Sequence, residues 1–91
     1  MATNAVWLAV DGERLAHACE EACTMLDQAR GELILDFSSV HRIDPAALRA
    51  LELLADAAEG EGTKLVLNNV KIDIYKVLKL GNLVPRFSFR A

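Results

Sequence analysis

The amino-acid sequence predicts one α/β domain over residues 1–91, with three helices and a mostly parallel sheet of four or five strands. Short apolar runs alternate with longer segments of helical periodicity, which is typical of strands joined by helical crossovers. Hydrophobic residues make up 53% of the chain, and only 5 glycines and 2 prolines interrupt the pattern. A domain this small buries only about 60–65% of its unfolded surface, so it needs that apolar content to form a core.

The first strand and the first helix are predicted at residues 5–10 and 13–30. The first run is apolar throughout and ends at Asp11-Gly12, which favours a strand followed by a turn. In the next segment apolar residues recur every three or four positions, as on one face of a helix. Gly31 is well placed to end this helix. The apolar positions are Leu15, Ala18, Cys19, Ala22, Leu26 and Ala29.

The middle of the chain repeats the alternation. Residues 33–37 are almost continuously apolar, which predicts a strand in a sheet covered on both faces. A polar loop at 38–42 leads to a second helix at 45–59. The glycine-containing turn at 60–62 then precedes a third strand at 64–67.

A third helix and a short last strand are predicted at the end of the chain. The helix extends from Ile72 to Leu80, and Gly81 is its expected C-terminal cap. The last strand covers residues 87–89. No repeat or linker divides the sequence, so all these elements belong to one domain.

Charge is distributed unevenly along the chain. Residues 1–61 carry a net charge of −8, whereas residues 62–91 carry +5. Such asymmetry orients charged partners as they approach. The basic end has neither an arginine-rich helix nor a run of aromatic residues for base stacking, so we expect no nucleic-acid partner.

The sequence also indicates a cellular compartment. Its first residues do not resemble a signal peptide, and no apolar run approaches the roughly 20 residues that span a bilayer. We therefore expect a cytoplasmic protein without membrane insertion, in which Cys19 and Cys23 are free thiols.

The start of the second helix is the most informative segment. Asp44 is a good N-cap, because its carboxylate accepts hydrogen bonds from the free amides of the first turn. Pro45 suits the first helical position, where the missing N–H costs nothing.

The segment from Val40 to Leu48, with Ile43-Asp44 and then Leu48, resembles the signature of the STAS family. Residues 61–67 and 77–83 resemble the family's "glycine, then buried strand" segment and its closing helix. The similarity covers residues 6–90 in order. It implies a non-catalytic protein-interaction domain like the bacterial anti-sigma factor antagonists, which act in signalling and transcription regulation, and it implies no cofactor.

Three departures from the family pattern change what the resemblance implies. In phosphorylated members a serine or threonine follows the aspartate, but Pro45 has no hydroxyl to phosphorylate. Where the family usually has a glycine, this sequence has Ala47. The additional strand with which STAS domains usually begin has no sequence ahead of residue 5, so one sheet edge is expected to be bare and available for homodimer formation.

The second helix has two apolar stripes beside one polar strip. The first stripe is expected to face the sheet. The second is covered either by the third helix or by a partner protein. The second stripe comprises Ala46, Ala50, Leu53 and Ala57. Because STAS partners commonly contact the preceding loop and this helix, the predicted partner-binding residues are Ser39, His41, Asp44, Pro45, Ala46, Arg49, Ala50 and Leu53.

Catalysis and metal binding are the competing functions. A catalytic triad would need a nucleophile, a base and an orienting acid. The candidates are Ser38 or Ser39, His41, and Asp36 or Asp44. However, the sequence has no Gly-x-Ser-x-Gly elbow. A metal site would need ligands at a suitable spacing. The nearest candidates are His17, Cys19 and Cys23, but the two cysteines do not form a Cys-x-x-Cys pair and the sequence has no second pair. No glycine-rich phosphate loop precedes a helix. We therefore predict no catalytic residue, no metal and no cofactor.

Two binding roles stay open. The first is an anti-sigma factor antagonist that binds an anti-sigma factor or kinase-like partner without the phosphoswitch. The second is a STAS adaptor subunit of a transporter or signalling array. Pro45 favours the second role, because an antagonist without its switch would be permanently active. Ser38 and Ser39 are the alternative phosphorylation candidates.

Overall fold

The computed structural model of the chain describes residues 4–26 and 31–90. Strands and helices alternate as the sequence predicts. The strands are β1 (Asn4–Ala9), β2 (Gly31–Asp36), β3 (Lys64–Asn68) and β4 (Ser88–Arg90). The helices are α1 (Leu15–Met25), α2 (Pro45–Glu61), α3 (Ile72–Leu80) and the short 3-10 helix η1 (Val84–Arg86). The prediction of an α/β domain with three main helices is confirmed.

The described residues form one four-stranded parallel sheet in the order β1-β2-β3-β4. Core residues of all three helices join one cluster with side chains of β2 and β3, so the helices lie on one face of the sheet. Right-handed crossovers between adjacent parallel strands give this arrangement. The core on that face contains Leu33 and Leu35 of β2, Phe37 directly after it, and Leu65 and Leu67 of β3.

The opposite face of the sheet has no helix among the described residues, which differs from the predicted cover on both faces. Trp7, Ile34 and Val66 lie side by side there in register. Val66 is fully buried, whereas Trp7 of the edge strand is 54% exposed. Arg90 pairs with Glu32 at 3.3 Å across this face. Ile34 and Val66, at the centre of this face, are both buried, which accounts for the apolar residues on both sides of β2.

Helix boundaries differ from prediction where local chemistry decides them. α1 begins at Leu15, and the predicted end at residues 27–30 lies outside the described residues. α2 continues through Gly60 and ends where Gly62 adopts a left-handed φ of 69°. The sequence pattern did not reveal η1, which forms around Pro85.

Candidate partner-binding surface

The loop before α2 lies at the carboxyl ends of the parallel strands, where α/β domains commonly bind their ligands. Gly12, in the turn after β1, packs against this loop. A methyl group at position 12 would lie 1.9 Å from the Ser39 carbonyl oxygen, so only glycine allows the two loops to come this close. Ser39 and His41 are both exposed.

A polar network fixes the beginning of the same loop. The Asp36 carboxylate accepts hydrogen bonds from the Ser38 amide at 3.0 Å and from Asn69 Nδ2 at 3.2 Å. The bond from the Ser38 amide is the main cause that lowers the pKa of Asp36, and the Asn69 side chain adds to it. Lys71 donates through Nζ to the Ser38 carbonyl oxygen. The loop is therefore tied to the segment after β3 as well as to Gly12.

Asp44 and Pro45 begin α2 as predicted from the sequence. Asp44 Oδ1 accepts a hydrogen bond from the Ala47 amide at 2.8 Å, and Pro45 occupies the first helical turn. Both residues are exposed. The aspartate therefore holds the helix start in place, and Pro45 is exposed beside it.

The side of α2 that faces the sheet is closely packed. Its buried residues are Ala47, Leu51, Leu54, Ala55 and Ala58. The outward side carries Ala46, Arg49 and Leu53, all exposed. Leu53 is 51% exposed, which is high for a leucine in the middle of a helix. Arg49 pairs with Glu52 at 3.5 Å on the same surface.

The two flanks of α2 contact different helices. On one flank, Leu48 reaches Gly81 at the end of α3, where a methyl group would lie 3.3 Å from Leu48 Cδ1. Ala50 and Ala57 lie on the opposite flank, which faces α1, and both are half-buried. The second apolar stripe is therefore partly covered by α1 and not by α3. Leu53, at its outer margin, is left open.

The acidic residues Asp56 and Glu59 of α2 are partly neutralised by an arginine near the C-terminal end of the chain. Arg86 of η1 pairs with Asp56 at 2.8 Å and with Glu59 at 3.6 Å. The hydrogen bond to Asp56 raises the pKa of the Arg86 guanidinium. The basic C-terminal third thus contacts the acidic helix within the molecule. Sequence reasoning missed this pair because no local pattern connects residues 30 positions apart.

A cleft of about 720 Å³ lies beside the predicted surface. The loop before α2 forms one wall through residues such as His41 and Arg42, and the start of α1 forms the other through Arg14 and His17. The sequence pattern indicated the loop as a binding segment but not the cleft beside it. The turn at Asp11-Gly12 was the available signal for the second wall, because parallel strands bring their following turns to one sheet edge.

The residues considered for catalysis and metal binding have other contacts. Asp36 and Asp44 each accept a backbone hydrogen bond within their own loop or helix start. Cys19 is buried, and burial raises the pKa of its thiol to about 12. Within residues 4–26 and 31–90, no three His, Cys, Asp or Glu side chains come together as metal ligands. None of the helices in those ranges has the length and apolarity to span a membrane.

Comparison with known proteins identifies the fold. A sulfate transporter family protein from Wolinella succinogenes has a TM-score of 0.79 and 20% identity, over 98% of this chain and 79% of its own. The protein TM1081 has a TM-score of 0.77 and 18% identity, over 99% of this chain and 76% of its own. The Bacillus cell fate determinant SpoIIAA, in its phosphorylated form, has a TM-score of 0.63 and 16% identity, over 100% of this chain and 87% of its own.

Sequence comparison assigns the family. No curated protein matches the chain in sequence. The family model for the STAS domain matches residues 5–91, which is nearly the whole chain. This match agrees with the segments around Asp44, Gly62 and Gly81 that carried the resemblance. The chain belongs to the STAS domain family.

Proposed function

We propose that this chain is a non-catalytic, cytoplasmic protein-interaction domain of a bacterial signalling system. It binds a partner protein through loop 38–44 and the outward side of α2. The observation that carries the proposal is Leu53, an apolar side chain 51% exposed in the middle of a helix whose other leucines are buried or half-buried. Exposed apolar surface rimmed by polar groups is typical of protein-binding sites.

The surface has the layout of a small interface. Leu53 and Ala46 supply apolar contact, while Arg49, Ser39 and His41 supply an exposed polar margin. The loop is held by Gly12, Asp36 and Lys71, and the helix start by Asp44, so little conformational freedom is lost on binding. A rigid, partly apolar surface of this kind favours a protein partner over a small molecule.

Binding at this surface is not controlled by phosphorylation of residue 45. Pro45 has no hydroxyl, so a kinase cannot add a charge at the exposed helix start. The domain therefore binds its partner constitutively, as an anti-sigma factor antagonist-like protein without the usual switch. Ser38 and Ser39 are exposed and are the sites where phosphate would still alter this surface.

A STAS adaptor subunit of a transporter or signalling array is the second candidate function. The likeness to a sulfate transporter family protein favours it, with a TM-score of 0.79. The permanent absence of the switch also favours it, because an adaptor that holds an assembly together needs no release step. A small hydrolase or a ligand-binding domain is the least favoured alternative.

Affinity capture followed by reconstitution tests the proposal. The chain is used as bait in its native cell, the captured protein is identified by mass spectrometry, and the complex is rebuilt from purified components. An anti-sigma factor or kinase supports the first role, and a transporter or array subunit supports the second. The rebuilt complex is then compared with one containing Arg49→Glu together with Leu53→Glu.

The double variant decides whether the surface is placed correctly. We expect it to lose the partner while its circular dichroism spectrum is unchanged, because both side chains are exposed. Leu80→Glu is the matched control, since Leu80 is 86% exposed on α3, away from the proposed surface. Undiminished binding by the folded double variant would show that the partner docks elsewhere.

Phosphorylation at Ser38 or Ser39 is tested separately. The purified chain is incubated with the kinase that the capture identifies, or with a native-cell extract and ATP, and then analysed by mass spectrometry. Phosphate on either serine, together with weaker partner binding, would restore a switch to the proposed function. An unmodified chain would leave binding constitutive.

A further inference from the structure

The two outer edges of the sheet differ in how they are protected. β4 forms one edge and has only three residues. Arg90 places a charge at its end. Short strands and charged side chains are two of the means by which natural sheets prevent edge-to-edge pairing. The β4 edge is therefore protected.

β1 forms the opposite edge and has none of these features. It is six residues long, uncharged and without proline. Trp7 at its centre is 54% exposed on the face opposite the helices. Within residues 4–26 and 31–90, β2 is the only strand that pairs with β1. Its outer backbone groups therefore face outward beside an exposed aromatic ring, which favours strand addition.

We propose that β1 pairs in antiparallel orientation with β1 of a second copy of this chain. The two four-stranded sheets then become one continuous sheet. A two-fold axis at Trp7 sets the two Trp7 side chains opposite each other on the sheet face opposite the helices. The same register sets Val6 opposite Leu8 of the second copy on the helix side.

The composition of β1 selects a second copy as the occupant. A two-fold interface requires the strand to be complementary to itself. Because residues 4–9 include no charged side chain, no like charges face each other in any antiparallel register. Aromatic pairs across strands are favourable, so the pairing covers the exposed Trp7 with its own equivalent.

Charges on the outer flank of α1 agree with the same arrangement. The helices lie in the order α1, α2, α3 with the same orientation, and α2 turns Leu48 toward α3. By the same handedness α1 turns Ala16 and Cys23 toward α2, and both are half-buried. Its opposite flank carries exposed Arg14 near the helix start and exposed Glu21 two turns later. In an antiparallel pair, the cationic end of one flank faces the anionic end of the other.

Sedimentation velocity and tryptophan fluorescence on one dilution series test the proposal. The chain has a single tryptophan, so its emission reports on position 7 alone. We expect the mass to double with rising concentration and the emission to shift to shorter wavelength with the same midpoint. A chain that stays monomeric at the highest attainable concentration, or a dimer with unchanged emission, would overturn the proposal.

Substitutions locate the interface. Trp7→Lys sets two ammonium groups opposite each other at the axis and is expected to abolish the dimer, whereas Trp7→Phe preserves it. Leu80→Lys is the matched control, because it changes a side chain that is 86% exposed on α3. If circular dichroism shows that Trp7→Lys fails to fold, Ala9→Lys replaces it, since Ala9 is exposed on the same edge. A folded edge variant that still dimerises would contradict pairing through β1.

Discussion

Leu51 and Leu53 are the same residue type, two positions apart in α2, and their surroundings are opposite. Leu51 has no exposed surface and packs in the core, whereas Leu53 is 51% exposed on the outward side. The first side chain stabilises the fold, and the second has little to contribute to it. This difference separates the part of the helix that the domain needs from the part that is free to bind a partner.

Leu51→Ala is expected to cause the largest loss of stability among the changes considered. The substitution removes a fully buried side chain and leaves a cavity in the core. Such changes lower the free energy of unfolding by about 2–5 kcal/mol. Urea unfolding followed by circular dichroism measures this loss. A decrease below about 1 kcal/mol would mean that Leu51 is not enclosed as described.

Asp44→Ala is expected to have the next largest effect. The aspartate accepts the hydrogen bond from the Ala47 amide that caps α2. Removing a helix cap costs about 0.5–2 kcal/mol of unfolding free energy. Asp44→Asn is the matched control, because asparagine caps a helix nearly as well. Equal destabilisation by the two variants would assign the effect to charge and not to capping.

Asp36 gives stability a pH dependence that sharpens the description of the loop. Its folded pKa is lowered, mainly by the hydrogen bond from the Ser38 amide. The stabilising contribution is therefore present above the unfolded pKa of about 3.9, and it is lost as the pH falls toward the folded pKa. Asp36→Asn keeps an acceptor oxygen but removes the titration. Urea unfolding at several acidic pH values should show a smaller pH slope for this variant, and an unchanged slope would contradict the network.

Leu53→Ala is expected to have the smallest effect on stability. Its side chain is half in solvent, so the unfolding free energy should change by no more than about 0.5 kcal/mol. The same substitution is expected to weaken partner binding, which Leu51→Ala affects only through the fold. A loss of stability comparable to that of Leu51→Ala would mean that the outward side of α2 is part of the core.

The elements of the fold followed from sequence because their signals are local. Apolar runs gave β2 and β3, and the Asp44-Pro45 pair gave the start of α2. The ends of elements were less accurate, since Gly60 was read as a turn although the helix continues to Glu61. A helix tolerates one glycine when its neighbours are packed, and the sequence does not report that packing.

The surroundings of the candidate surface were less predictable, because they depend on contacts between distant segments. The pattern identified two apolar stripes on α2 but did not say that α1 covers the flank with Ala50. The pairing of Arg86 with Asp56 and the close approach of Gly12 to Ser39 likewise join segments far apart in the chain. Such contacts depend on the sheet order, which the sequence left open.

Site-specific photo-crosslinking in the native cell tests the central claim most directly. A photoreactive phenylalanine derivative replaces Leu53 in one chain and Leu80 in another, because both positions are exposed but lie on different helices. We expect one discrete crosslinked protein at position 53, which disappears when Arg49→Glu is added, and no such product at position 80. No product at position 53, or the same product at both positions, would contradict docking on the outward side of α2.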